Sequence, residues 1–159
     1  MDKEIIIEIK CNQIVTNNIA KYFNMKGVWA LLGKKEDDKD WVCLNVGKNI
    51  NIGREILYDL GCLFFVPFLE DGNKEYINYS EEYCGFKYNS GLVQEYLYPY
   101  IAKEYYELRF IYLDEVANLD SERDFAKKNK ALFWRHGRPY KAEPESNYEG
   151  EKRRWMKLS

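Results

Sequence analysis

Short β-branched runs alternate with stretches of helical spacing over the first sixty residues. Glu4–Lys10 (EIIIEIK) reads as a strand. From Asn12 to Met25 the apolar positions Ile14, Val15, Ile19, Tyr22 and Phe23 recur close to every third or fourth residue, which predicts a helix capped by Asn12 and broken at Lys26-Gly27. Val28–Leu32 and Trp41–Val46 read as two strands of an antiparallel hairpin, joined by the charged stretch from Gly33 to Asp40, a solvated loop tip. Residues Gly47 to Asn51 form the next turn. Asn49 or Asn51 then caps a helix over Ile52–Leu60, with Gly61 in the position of a helix stop.

The second half is less regular. Cys62–Leu69 has the look of a strand, Asp71-Gly72-Asn73 of a turn into a strand at Glu75–Tyr79, and Glu81–Asn89 of a further edge strand. Gly91–Tyr105 is helical in spacing, interrupted at Pro99. Glu107–Asp114 (ELRFIYLD) is apolar on both faces, the pattern of a buried strand. Asp120 or Ser121 caps a last helix that runs to about Trp134. Prolines, Gly150 and many charges follow. The expected architecture is an α+β domain over residues 1–142, a small antiparallel sheet flanked by helices with a loosely packed charged tail at 143–159.

Composition narrows the function classes. At 159 residues the chain suits one domain with a real core. No run nears the roughly 20 apolar residues of a membrane span. The start, Met1-Asp2-Lys3-Glu4, lacks the basic and apolar segments of a signal peptide, so a cytoplasmic protein without a membrane partner is expected. Four cysteines without a C-x-x-C pair, and a single histidine, disfavour a zinc site and leave reduced, mostly buried thiols as the expectation. The formal net charge of −2 means that any phosphate contact must come from a local cationic patch.

The order of the central elements, with particular residues on them, resembles the core of the GIY-YIG nuclease superfamily. Gly27-Val28-Trp29 stands where such proteins carry Gly-Ile-Tyr, and Asn45-Val46-Gly47-Lys48 where they carry Tyr-Ile-Gly, often followed by lysine. Asn49–Arg54 resembles the approach to the family's arginine on the first core helix, Tyr58 falls where many members have tyrosine or histidine, and Glu122 resembles the metal-binding glutamate. The resemblance covers two blocks, 27–60 and 106–135, with 62–105 as an inserted hairpin and helix segment.

The resemblance implies a metal-dependent endonuclease that hydrolyses phosphodiester bonds in DNA or RNA with Mg²⁺ or Mn²⁺. Arg54 and Lys48 would hold the scissile phosphate, Tyr58 would orient or activate water, and Glu122 would bind the metal. A guanidinium forks two donors onto a phosphate, and a carboxylate is a hard ligand suited to Mg²⁺. Arg135 and Arg138 add cations for a nucleic-acid backbone. Two positions depart from the family pattern. Trp29 has no titratable hydroxyl, and Asn45, where the family's proposed general base stands, cannot accept a proton at neutral pH. The resemblance therefore also implies an alternative: an inactive descendant that binds another protein or a nucleic acid, as an inhibitor or accessory factor of a defence or mobile-element system does. Each side chain has an ordinary reading as well. Arg54 and Lys48 suit a solvated surface, Tyr58 a half-buried amphipathic site, and Glu122 a first helical turn, where the dipole favours a carboxylate.

Overall fold

A computed structural model describes residues 4–68, 98 and 101–134. Five strands form one sheet: β1 (Glu4–Lys10), β2 (Gln13–Asn17), β3 (Gly27–Lys34), β4 (Val42–Asn49) and β5 (Glu107–Asp114). Their spatial order is β2-β1-β5-β3-β4, with every neighbouring pair antiparallel. Among the described residues the helices α1 (Ile52–Phe68) and α2 (Leu119–Lys128) accompany the sheet, with a further helical stretch at 101–104. The expected mixed class, an antiparallel sheet flanked by helices, is present. No helix among the described residues is long and apolar enough to cross a membrane.

Alternation along β3 splits the core in two. Trp29 and Leu31 face α1, packing with Leu44, Ile52, Ile56 and Phe110. Val28 and Ala30 face the other way, against Val46, Ile111, Ala126 of α2 and Trp134. The central position of β5, between β1 and β3, explains why both of its faces are apolar.

Four sequence expectations are corrected. The helix over Asn12–Met25 is instead the hairpin strand β2 followed by a single 3-10 turn, Ile19–Tyr22. Cys11 and Asn12 both take positive φ, 50° and 61°, in the tight turn that pairs Lys10 with Gln13. The β-branched run Ile14-Val15-Thr16 prefers the extended pairing, and only Tyr22 of the supposed helical stripe is buried in that turn. Second, the turn expected at Gly47–Asn51 is shorter, because β4 continues through Gly47 and Lys48 to Asn49. Third, Gly61 does not stop α1, which runs on through the strand expected at Cys62–Leu69 as far as Phe68. Burial of Leu60, Cys62 and Leu63 outweighs the roughly 1 kcal/mol that an interior glycine costs a helix. Fourth, α2 is capped by Asn118, whose side chain accepts the Ser121 N–H at 2.8 Å, and it ends at Lys128 rather than Trp134. After Lys130, with φ of 52°, the chain returns to β4: Leu132 and Phe133 donate their backbone N–H groups to the carbonyls of Cys43 and Leu44 at 3.1 and 2.9 Å.

The strands expected at Glu75–Tyr79 and Glu81–Asn89, most of the helix expected at Gly91–Tyr105, and the tail lie outside the described residues. Tyr98 and residues 101–104 of that helix are described and are helical.

Candidate functional site

The first two turns of α1 emerge directly from β4. Asn51 caps the helix, its side chain accepting the Arg54 N–H at 3.1 Å, and its own N–H donates to Asn49 Oδ1 at 2.8 Å. Gly53 is required where it stands: a Cβ there would lie 2.8 Å from the backbone nitrogen of Phe23, so the helix start packs directly on the chain after the 3-10 turn.

From this start the helix divides into two stripes. Ile52, Ile56 and Leu63 point into the core, and Asp59 is fully buried among them. Arg54, Leu57 and Tyr58 point outward, Tyr58 with 45% of its surface exposed. Arg54 and Tyr58 thus share the outer face, as their i, i+4 spacing requires.

Glu55 occupies the boundary between the stripes. Trp29 Nε1 donates to Glu55 Oε2 at 2.6 Å. That bond depends on Gly47, the residue opposite Trp29 in the sheet, because a Cβ at position 47 would sit 2.5 Å from the indole ring. The indole lies across β4 through the gap that the missing side chain leaves, and its N–H reaches α1 on the far side. Burial pushes the Glu55 carboxyl up to about 6, and the charge of Glu122 adds to the rise. The Trp29 hydrogen bond, a second from the Asn49 side chain and the charge of Lys48 oppose it.

Asn45 lies on the α1 side of β4 and is buried. Its Oδ1 accepts the Val46 N–H at 3.0 Å, and its Nδ2 donates to Tyr98 Oη at 3.1 Å. Tyr98 Oη donates in turn to Asp59 Oδ2 at 2.9 Å. Burial holds the Asp59 carboxyl well above the usual carboxylate range, with the nearby Glu55 charge contributing. Asn45, Tyr98 and Asp59 therefore form a buried polar chain linking β4, α1 and the residue at 98.

Lys48 is half-buried and projects from the opposite face of β4, opposite Val28. Glu122, in the first turn of α2, is 6% exposed, and its Oε1 accepts Trp134 Nε1 at 2.6 Å. Its charge acts on Glu55, as that of Lys48 does. Arg54 and Tyr58 are thus on one surface, Lys48 and Glu122 are on the face of the sheet away from α1, their charges acting on Glu55 in opposite directions, and Asn45 is committed to the interior. Arg135 and Arg138 lie outside the described residues. A cavity of about 160 Å³ between the β1–β2 turn and residues 102–106 includes none of these side chains.

Sequence reasoning missed Glu55, Asp59 and Tyr98 as parts of one arrangement. A signal for the first two existed. The 3.6-residue period places Asp59 in the middle of the Ile52, Ile56 and Leu63 stripe and Glu55 at its rim, and a carboxylate on an apolar stripe calls for a partner. The partners came from residues distant in the chain.

Glu122, the carboxylate that the resemblance assigns to a metal, is buried and hydrogen-bonded to Trp134. No group of three or more histidine, cysteine, aspartate or glutamate side chains placed to hold a metal occurs among the described residues. A divalent cation at this site would have to be held mainly through water and substrate phosphate, as Mg²⁺ commonly is. No protein-family model, curated protein or solved structure matches the chain.

Proposed function

We propose that the chain is a nucleic-acid-directed domain with a GIY-YIG-like core, acting as a divergent metal-dependent phosphodiesterase. One observation carries the reading. The first turn of α1 carries an exposed forked cation, Arg54, and, turned toward the sheet, a half-buried carboxylate, Glu55, on which the charges of Lys48 and Glu122 both act. Phosphodiester hydrolysis needs a cation on the phosphate, a proton acceptor for water and compensation of charge on the transition state, and these groups are of the kinds required. Arg54 binds two phosphate oxygens, Lys48 adds positive charge at the β4 edge, and Tyr58 donates a hydroxyl from the same outer face. Glu122 would hold Mg²⁺ or Mn²⁺, which would polarise the phosphate when bound.

A second reading has its own support. The two positions where the family carries tyrosines are tied into internal hydrogen bonds, Trp29 to Glu55 and Asn45 to Val46 and Tyr98. That arrangement suits an inactive relative which uses the Arg54 and Tyr58 face to bind nucleic acid or another protein. Incubating the protein with plasmid DNA and with RNA in Mg²⁺ and in Mn²⁺, beside Arg54→Ala and Glu122→Ala, decides between them. Cleavage by the wild type that both variants lose supports the phosphodiesterase. No cleavage with either metal, or cleavage undiminished in both variants, removes that reading in favour of the binding protein.

A further inference from the structure

We propose that Glu55 is the catalytic residue that takes the proton from the attacking water, an assignment that rests on the phosphodiesterase reading. Neither Asn45 nor Trp29 can perform this step, since an amide and an indole N–H do not accept a proton near neutral pH. Three separate elements fix Glu55. The Asn51 cap sets the helix start, with the Glu55 N–H donating to the Asn51 carbonyl at 3.2 Å. Trp29 on β3 supplies the 2.6 Å donor to Oε2. Gly47 on β4 leaves the gap through which that indole passes. A carboxylate held in one orientation at the start of α1 is pre-organised for proton transfer.

The step balances simply. A water oxygen bonds to phosphorus as one of its protons passes to a Glu55 carboxylate oxygen, and the bond from phosphorus to the leaving oxygen breaks. The leaving oxygen takes a proton from solvent, and Glu55 later releases its own to solvent. Trp29 acts as a positioning residue and keeps its proton throughout.

The test uses the full chain with a fluorescently labelled duplex and a labelled RNA, in Mg²⁺ and in Mn²⁺. Cleavage is followed alongside binding by anisotropy without metal, and alongside thermal unfolding. Glu55→Gln should lower kcat by about a hundredfold or more, the scale of a lost general base, while the Kd for the labelled strand and the unfolding midpoint are not worsened. Glu55→Asp, which keeps a carboxylate but withdraws it, should lose roughly ten- to a hundredfold in kcat through misplacement alone. If Glu55→Gln fails to fold, Glu55→Asp carries the test, and a wild-type kcat in it overturns the assignment. Cleavage by Glu55→Gln within about threefold of wild type, or a loss expressed only in binding, overturns the role of Glu55 while leaving a phosphodiesterase in place. Absence of cleavage by the wild type with either metal removes the phosphodiesterase itself and the assignment with it.

Discussion

The two stripes of α1 use polar residues in opposite ways. On the inner side Asp59 and Glu55 are each tied to one aromatic donor, Tyr98 Oη and Trp29 Nε1, and both carboxyls are pushed up by burial. On the outer side Arg54 and Tyr58 face solvent around an exposed Leu57. A carboxylate placed inside a fold costs stability unless it is paired or protonated, whereas one on the surface costs little. Both inner carboxyls therefore favour folding less as pH rises and they ionise, and the outer residues are nearly neutral to it. Residues kept at such a cost are candidates for function, and mutation can test each stripe separately.

The largest effect should come from the apolar part of the inner stripe. Ile56 is fully buried between α1 and the sheet, and Ile56→Ala should destabilise the domain by roughly 2–5 kcal/mol through lost burial and the cavity left behind. Denaturant unfolding monitored by tryptophan fluorescence measures it. Gly47→Ala should come next, at about 1–3 kcal/mol, because the added methyl meets the Trp29 ring at 2.5 Å and displaces the indole that holds Glu55. A Gly47→Ala protein as stable as wild type would mean that the indole does not depend on that gap.

Glu55 gives a pH test of the same stripe. Its carboxyl moves from an ordinary value of 4.5 to about 6 in the folded protein, so the folded state binds its proton more tightly than the unfolded chain does. The associated stability is fully present below pH 4.5 and is lost as pH rises through about 6, amounting to roughly 2 kcal/mol. Asp59, also raised, contributes with the same sign. Glu55→Gln, whose amide oxygen still accepts the Trp29 N–H, should flatten the decline between pH 4.5 and 6 and be more stable than wild type at pH 8 by about 1–2 kcal/mol. Unfolding curves at stepped pH decide this, and an unchanged slope would mean that Glu55 is well solvated. A variant that gains stability and loses cleavage would separate the two roles of this side chain.

Gly61 sharpens the contrast from the outer side. A Cβ added there meets nothing within 4 Å, so Gly61→Ala should stabilise α1 by up to about 1 kcal/mol. Thermal unfolding reads this directly, and a destabilised Gly61→Ala would show that the outer stripe at this point is covered.

The misreading at Gly61 shows what local pattern can and cannot reveal. β5 was legible to its end residues because a strand covered on both sides leaves a dense apolar run. The hairpin of β3 and β4 was legible because its two runs flank a charged loop. By contrast, the helix expected at Asn12–Met25 rested on spacing alone, and the positive φ of Cys11 carries no mark in the residue type. Of the candidate site, the outward placement of Arg54 and Tyr58 followed from helical period. The bonds of Glu55 and Asp59 did not, since Trp29 and Tyr98 lie 26 and 39 residues away and reach them only through strand pairing and packing.

The smallest stability effects, and the most specific functional ones, should come from the outer stripe itself. The Arg54 side chain lies outside the core, so Arg54→Ala should shift unfolding by no more than about 0.5 kcal/mol. If this face meets phosphate, Arg54→Ala should weaken binding to a labelled oligonucleotide severalfold and reduce its salt dependence by about one released counterion. Tyr58→Phe should leave the salt dependence unchanged, because it removes a hydroxyl and no charge. An Arg54→Ala protein with unaltered binding and salt slope would leave the outer stripe as ordinary solvated surface.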